Sequence, residues 1–226
     1  MHAWTLTPTE AVALQRQLVG QLDHASPLNL ADVRVVAGVD VGVRDEVSTA
    51  AVVALSFPDL HIIESVTARL PTRFPYVPGL LSFREGEVIL EAHARLSVQP
   101  DAYLFDGMGR IHPRRIGVAS HLGLWLNKPT VGVGKTHLLG SYDAPADHAG
   151  AWSPLSDAGE ILGAVLRTRA RVKPVYVSSG HRIDLASALA LVMACTTRYR
   201  LPEPIRAAHQ AAGRPADGAG VIHSSG

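Results

Sequence analysis

At 226 residues, with 47% hydrophobic and 18% charged, the chain is long enough for a sizeable buried core and too apolar for intrinsic disorder. No apolar run approaches the roughly 18 residues that span a bilayer, the N-terminus lacks the basic-then-apolar order of a secretion signal, and a lone cysteine, Cys195, cannot form an internal disulfide; a cytoplasmic protein with no membrane partner is expected. A formal net charge of +1 decides nothing about nucleic acid, because functional acids offset surrounding bases in the sum.

Thr7-Pro8-Thr9-Glu10 carries the pattern of a capping box with proline at the first helical position, so a helix is expected from there to about Leu22. Three strand-like runs follow, Val33 to Val41, Thr49 to Ser56 and His61 to Thr67, spaced as an antiparallel meander. Residues Leu70 to Gly86 read as a long loop rich in proline and aromatic residues, a composition that favours a functional loop over a plain connector. Then come a helix from Glu87 to Leu96, a buried strand from Ala102 to Phe105, a helix from Ile116 to Leu126 and a short strand from Thr130 to Val133. Residues 140 to 158 read as surface loop, Ile161 to Thr168 and Pro174 to Ser178 as a strand pair, and Asp184 to Tyr199 as the final helix. A meander feeding βαβ units predicts an α/β fold, a ribonuclease-H-like mixed β-sheet with helices on both faces. Residues 1–212 are expected to form a single domain, and the Gly/Ala/Ser-rich 213–226 a flexible C-terminal tail.

In that order of strands the first lies beside the fourth, and Asp40 and Asp106, 66 positions apart, become neighbours able to share a metal ion. Asp40 follows the apolar run Val-Val-Ala-Gly-Val, where a buried acid is costly unless paired or metal-bound; the alternative is a strand-end aspartate entering a polar turn. Asp106 closes Ala-Tyr-Leu-Phe and begins Gly-Met-Gly-Arg. An Asp-Gly turn is the bland alternative, but no matching strand follows to make a hairpin, and open α/β sheets bind ligands at the carboxyl ends of their strands. Glu85, placed just before a helix, fits equally well as an acid complementing the helix dipole. Tyr76, braced by Pro75 and Pro78, suits either a wedge that stacks between bases or a hydrophobic clasp for its loop. Arg110, Arg114, Arg115, Lys128 and Lys135 around Asp106, with Arg69, Arg73 and Arg84 before Glu85, form either a phosphate-facing set or an ordinary solvated surface.

Two motifs exclude themselves. Gly132-Val-Gly-Lys-Thr136 ends like a phosphate-binding loop, but Pro129 stands where that loop needs glycine; Lys135 remains a candidate cation for a phosphate. Ser178-Ser179-Gly180-His181 lacks the glycine–serine–glycine elbow of a serine nucleophile. His181 and Asp184 are expected at the start of the final helix, three residues apart on a similar face. The histidines show no zinc spacing, so an oxygen-ligand site for Mg²⁺ or Mn²⁺ is favoured.

Together, Val-Ala-Gly-Val-Asp40, Pro75-Tyr-Val-Pro-Gly-Leu-Leu-Ser-Phe-Arg-Glu85, Asp106-Gly-Met-Gly-Arg-Ile-His112-Pro-Arg-Arg-Ile-Gly-Val-Ala-Ser-His121, Gly-Val-Gly-Lys135 and Gly180-His181-Arg resemble endonuclease V from about Ala3 to Leu201, in the family's motif order. The resemblance implies a ribonuclease-H-like endonuclease that acts on deoxyinosine, using Mg²⁺, or Mn²⁺ as substitute, and cuts the second phosphodiester bond on the 3′ side to leave 3′-hydroxyl and 5′-phosphate ends. It implies a metal site of Asp40, Glu85 and Asp106, with Lys135 and His181 as further catalytic groups. Tyr76 would be the wedge, Pro78 part of its loop, Gly79, Leu81 and Gly107 the pocket lining, and His112 a supporting contact. The expected partner is DNA containing deoxyinosine, with inosine-containing RNA as a second candidate, and the chain is expected to act as a monomer. The alternatives are another ribonuclease-H-like nuclease, acting on structured DNA or inosine-containing RNA, and a non-catalytic nucleic-acid-binding module.

Overall fold

The computed structural model describes residues 2–213. The Thr7 hydroxyl accepts from the Glu10 N–H, and the Glu10 carboxylate accepts from the Thr7 N–H at 2.8 Å, so the expected capping box opens α1 (Pro8–Leu18). A turn of 3-10 helix then carries the chain to Gln21. The meander is formed by β1 (Val35–Arg44), β2 (Val47–Ser56) and β3 (Ile62–Pro71), paired antiparallel as β1–β2 and β2–β3.

The loop after β3 is shorter than expected, because α2 (Leu81–His93) begins six residues before the expected start. Val77 O accepts from the Leu80 N–H at 3.0 Å, and Gly79 has φ +78°, so Val77-Pro78-Gly79-Leu80 is a tight turn with proline and glycine where a type II turn needs them. That turn releases the chain into helix at once. Glu85 is therefore inside α2, in its second turn, and not ahead of it. Next come β4 (Ala102–Phe105), α3 (Val118–Leu126) and β5 (Thr130–Gly134), then β6 (Trp152–Asp157), β7 (Glu160–Leu166) and β8 (Val175–His181), and finally α4 (Leu185–Ala194) and α5 (Glu203–Ala212).

The structure departs from expectation at three further places. Part of the expected loop at 140–158 is the strand β6, an edge strand that pairs with β7 and is bridged once on its other side, Ser156 to Ser141; its Pro154 argues against a central strand but is tolerated at an edge. The expected final helix stops at Ala194, and a separate α5 follows it. His181 closes β8 and does not open α4, whose N-cap is Asp184, its carboxylate accepting from the Ser187 N–H at 2.7 Å.

All eight strands form one sheet in the order β3-β2-β1-β4-β5-β8-β7-β6. β1 pairs with β4, and β4 with β5, in parallel; β5–β8, β8–β7 and β7–β6 are antiparallel. The expected mixed sheet is thus present, with the first strand beside the fourth. Strand periodicity splits the core into two layers. Val36, Ala51, Val53, Leu55, Leu104, Val131 and Val133 face Leu191, Val192, Ile205 and Ala208 of α4 and α5. Ala37, Val39, Ala50, Val52, Tyr103 and Phe105 face Val88, Ile89 and Leu122 of α2 and α3. Central strands buried on both faces explain the continuous apolar runs in the sequence. Among the described residues, no helix is long and apolar enough to cross a membrane. Apart from Gly213, the expected tail lies outside the described residues.

Candidate active site

Parallel pairing of β1 and β4 sets Val39 against Phe105, and the Asp106 N–H donates to Val39 O at 3.0 Å. The next residue on each strand, Asp40 and Asp106, therefore emerges at the same level, where the sheet offers its strand ends. Each carboxylate side chain is only 12% exposed, so two like charges share a poorly hydrated site. Burial raises the pKa of Asp106, opposed by the hydrogen bond from the Lys135 ammonium, which forms an ion pair with Asp106. Lys135 follows the end of β5, the next strand over, and its ammonium reaches back across the sheet edge.

Glu85 approaches the same centre from α2. Burial first, then the Asp40 charge, pushes its pKa up to about 8, against the pull of Arg84 and with a further push from Asp106. An acid held that way is one proton, or one cation, short of a stable arrangement.

The residue that sequence reasoning missed is His209. It lies on α5, and its Nδ1–H donates to Asp40 Oδ2 at 2.7 Å. One ligand atom from each of Asp40, Asp106 and His209 lies within 4.8 Å of the others. Two carboxylates and one imidazole, with the half-buried Glu85 nearby, match the donor chemistry of a divalent cation, whose charge would offset the repulsion from Asp40 and Asp106 that helps raise the Glu85 pKa. The signal for α5 was present in the sequence: prolines at 202 and 204 opening a stretch with Ile205, Ala208, Ala211 and Ala212 on one face. What no local signal shows is that this helix lies on β1, 169 residues away from Asp40 in sequence at His209.

His181, expected near the metal, is elsewhere. β8 runs antiparallel to β5, so its last residue pairs with Thr130, which is level with Tyr103 on β4. That is the end of the sheet away from Asp106. The His181 ring accepts from the Asp23 N–H at 3.2 Å and anchors the segment after α1. Asp184 is the N-cap of α4, at the start of a helix as expected. Arg110 and Arg115 also leave the site, paired with Glu160 and Asp157 of the β6–β7 hairpin. Ser178 is structural, its hydroxyl accepting from the Gly109 N–H at 2.9 Å.

Beside the acids opens a cavity of about 430 Å³, within the size range of small-ligand pockets. Tyr76, Pro78, Gly79, Leu81, Gly107 and His112 all line it, and Asp106 and Lys135 contribute to its wall. Tyr76 is 73% exposed, so its ring is free at the rim. The clasp that holds the loop is made by Phe74 and Leu80, which are buried against Ala11 and Phe83, and by Arg84, which donates to Phe74 O at 3.0 Å. His112 is buried, and its pKa falls to about 4, chiefly through that burial. Its neutral ring accepts from the Arg114 N–H at Nδ1 and donates to Gly79 O from Nε2. A Cβ at Gly107 would stand 2.6 Å from Val118 Cγ1, so a side chain there would have to displace the Val118 methyl.

A family model for endonuclease V matches residues 16–210. The chain belongs to the endonuclease V family. Its relatives include endonuclease V of Nostoc sp., 51% identical over 93% of this chain and 96% of that protein, and endonuclease V of Roseiflexus sp., 48% identical over 91% of each. Among solved structures, endonuclease V from Streptomyces avermitilis superposes with a TM-score of 0.89 at 41% identity, covering 93% of each chain. A Ciona intestinalis endonuclease V, in complex with a 24mer DNA containing an inosine followed by a ribo-adenosine, superposes with a TM-score of 0.77 at 27% identity over 89% of this chain and 94% of that one. The protein is accordingly an endonuclease, a hydrolase of phosphodiester bonds, and the family is metal-dependent.

Proposed function

We propose that this endonuclease recognises inosine, the deamination product of adenosine, in DNA and cuts the second phosphodiester bond on its 3′ side, leaving 3′-hydroxyl and 5′-phosphate ends, as a step in DNA repair. The observation that carries this reading is the adjacency of the acid cluster to a base-sized cavity, with an exposed tyrosine at the rim. The inosine-bearing DNA held by the Ciona relative supports the same substrate here. Asp40, Asp106 and Glu85, with His209, are the residues that would hold a divalent cation, Mg²⁺ ordinarily and Mn²⁺ as substitute. When bound, that ion supplies Lewis acidity toward the phosphate and the attacking water.

The chain's own groups do the rest. Lys135 presents a positive charge where the cleaved phosphate gains negative charge. His209 orients the Asp40 carboxylate through its Nδ1–H. Tyr76 stacks into the space left when the lesion base turns out of the strand, a movement that costs a few kcal/mol and less for a weakly paired base. The lining of Pro78, Gly79, Leu81, Gly107 and His112 receives that base and excludes water from it. Inosine-containing RNA is a second substrate for the same pocket, and monomeric action in the cytoplasm fits the reading.

The test is cleavage of matched strands, with inosine or adenosine at one position, by wild type and by Asp40→Ala and Asp106→Ala. Both variants should lose cutting in Mg²⁺ while retaining inosine-strand binding. Full activity in either would remove the metal-site assignment, and equal cutting of both strands by wild type would remove the inosine assignment.

A further inference from the structure

Gln15 is the buried polar residue of α1, 1% exposed on a face otherwise packed through Ala11 and its apolar neighbours. A buried amide needs partners, and here they are all outside α1. Its Nε2 donates to Gly79 O at 3.1 Å and to Ile116 O at 3.4 Å, while its Oε1 accepts from the Arg114 Nε. Two carbonyls on one atom and a guanidinium on the other leave only one orientation of the amide. Gly79 O is the meeting point, accepting also from Arg114 Nη2 at 2.7 Å and from His112 Nε2 at 3.0 Å.

These donors fix one peptide plane. The carbonyl of the Gly79–Leu80 peptide is held by three side chains, and its N–H donates to Val77 O. The turn is therefore locked from both sides, and the Gly79 N–H, which belongs to the preceding peptide, has no protein partner among the described residues. Gly79 and Gln15 both line the cavity beside the acids. A turn held in one conformation at the wall of a base pocket keeps its backbone polar groups in set positions, where they can favour the carbonyl edge of hypoxanthine over the amino group that adenine carries there.

We propose that Gln15, with Arg114, is a positioning residue that sets lesion selectivity by clasping the Gly79 carbonyl and so fixing the turn that lines the pocket. The inference rests on the inosine reading above. Gln15 touches neither the acids nor Lys135 in the contacts described, so its influence should fall on substrate capture and not on the chemical step.

The experiment uses the full chain in Mg²⁺ with strands that differ only in inosine or adenosine. Gln15→Met removes all three bonds at similar volume. Gln15→Glu keeps the bond to Arg114 but sets a carboxylate against two carbonyls. Both should raise KM for the inosine strand about tenfold, keep kcat within about twofold, and narrow the inosine-to-adenosine ratio. In both, amide exchange at Leu80, followed by NMR, should quicken relative to β1 and β4. Wild-type KM and wild-type Leu80 exchange in either variant would overturn the proposal, as would a lowered thermal midpoint with selectivity unchanged. If neither variant folds, Arg114→Met, at a half-buried position, reads the same carbonyl and must show the same KM rise. If wild type itself shows no preference for inosine, the functional reading fails, and the Leu80 exchange still decides whether the clasp exists.

Discussion

Among the described residues, removal of the His209 ring leaves the Asp40 carboxylate with no hydrogen-bond partner, because the Nδ1 contact is its one side-chain hydrogen bond there. His209→Ala should therefore raise the metal concentration for half-maximal cutting about 10–100-fold, the range seen when a group orienting a ligand is lost. A metal titration unchanged by the substitution would remove His209 from the site. Tyr76 makes a contrasting case, since a ring 73% exposed contributes little to folding. Tyr76→Ala should weaken strand binding by about 1–3 kcal/mol and leave the thermal midpoint where it was. Residues of this kind differ in how far the sequence betrays them. Asp40 and Asp106 interrupt apolar strands, and an acid there advertises itself. Glu85 and His209 sit at ordinary helix positions, and only the packing of α2 and α5 on the sheet gives them meaning. His181 misled because the strand was expected to stop at Ser178 and the histidine to open the final helix, whereas β8 runs on to include it.

Elements carry these residues to the centre, and α5 does so at close quarters. A Cβ at Gly38 would stand 1.8 Å from Pro204 O, so the helix begins directly on the backbone of β1. Gly38→Ala must push α5 away. The expected cost is about 1–3 kcal/mol or more from overpacking, measured by denaturant unfolding, together with a loss of activity larger than the stability change explains, since His209 moves with the helix. Unaltered activity at reduced stability would show that α5 is scaffold alone. The meander, the β4 strand and its neighbour β5 were legible because two-sided burial writes itself as apolar runs. The early start of α2 was not, because prolines at 75 and 78 mask a turn that ends at Gly79, nor was β6, whose Pro154 is permitted only by its place at the sheet edge.

At the scale of the whole molecule, stability should depend on pH through histidines buried without charge. His121 is fully buried against His2, Trp4 and Phe83, its Nδ1 accepting from the Ser82 hydroxyl at 2.8 Å, and burial lowers its pKa to about 3. An unfolded imidazole titrates near 6.5, so between these values the unfolded chain binds a proton that the folded chain refuses. Stability is complete above about pH 6.5 and falls as pH drops, by about 1.4 kcal/mol per pH unit for this one group. His24 and His112, each lowered to about 4 chiefly by burial, add to the fall. His121→Gln should flatten the pH 7 to 5 slope of unfolding free energy by about that amount, and an unchanged slope would contradict the assignment.

The acids, the cavity and the tyrosine at its rim meet in one function, and the position of a single nick tests it most directly. A duplex with one deoxyinosine, end-labelled and mapped at nucleotide resolution, should be cut once in Mg²⁺, at the second phosphodiester bond 3′ of the lesion, and left whole in EDTA. Cutting that persists in EDTA, or that falls equally on the same duplex with adenosine in place of inosine, would contradict it.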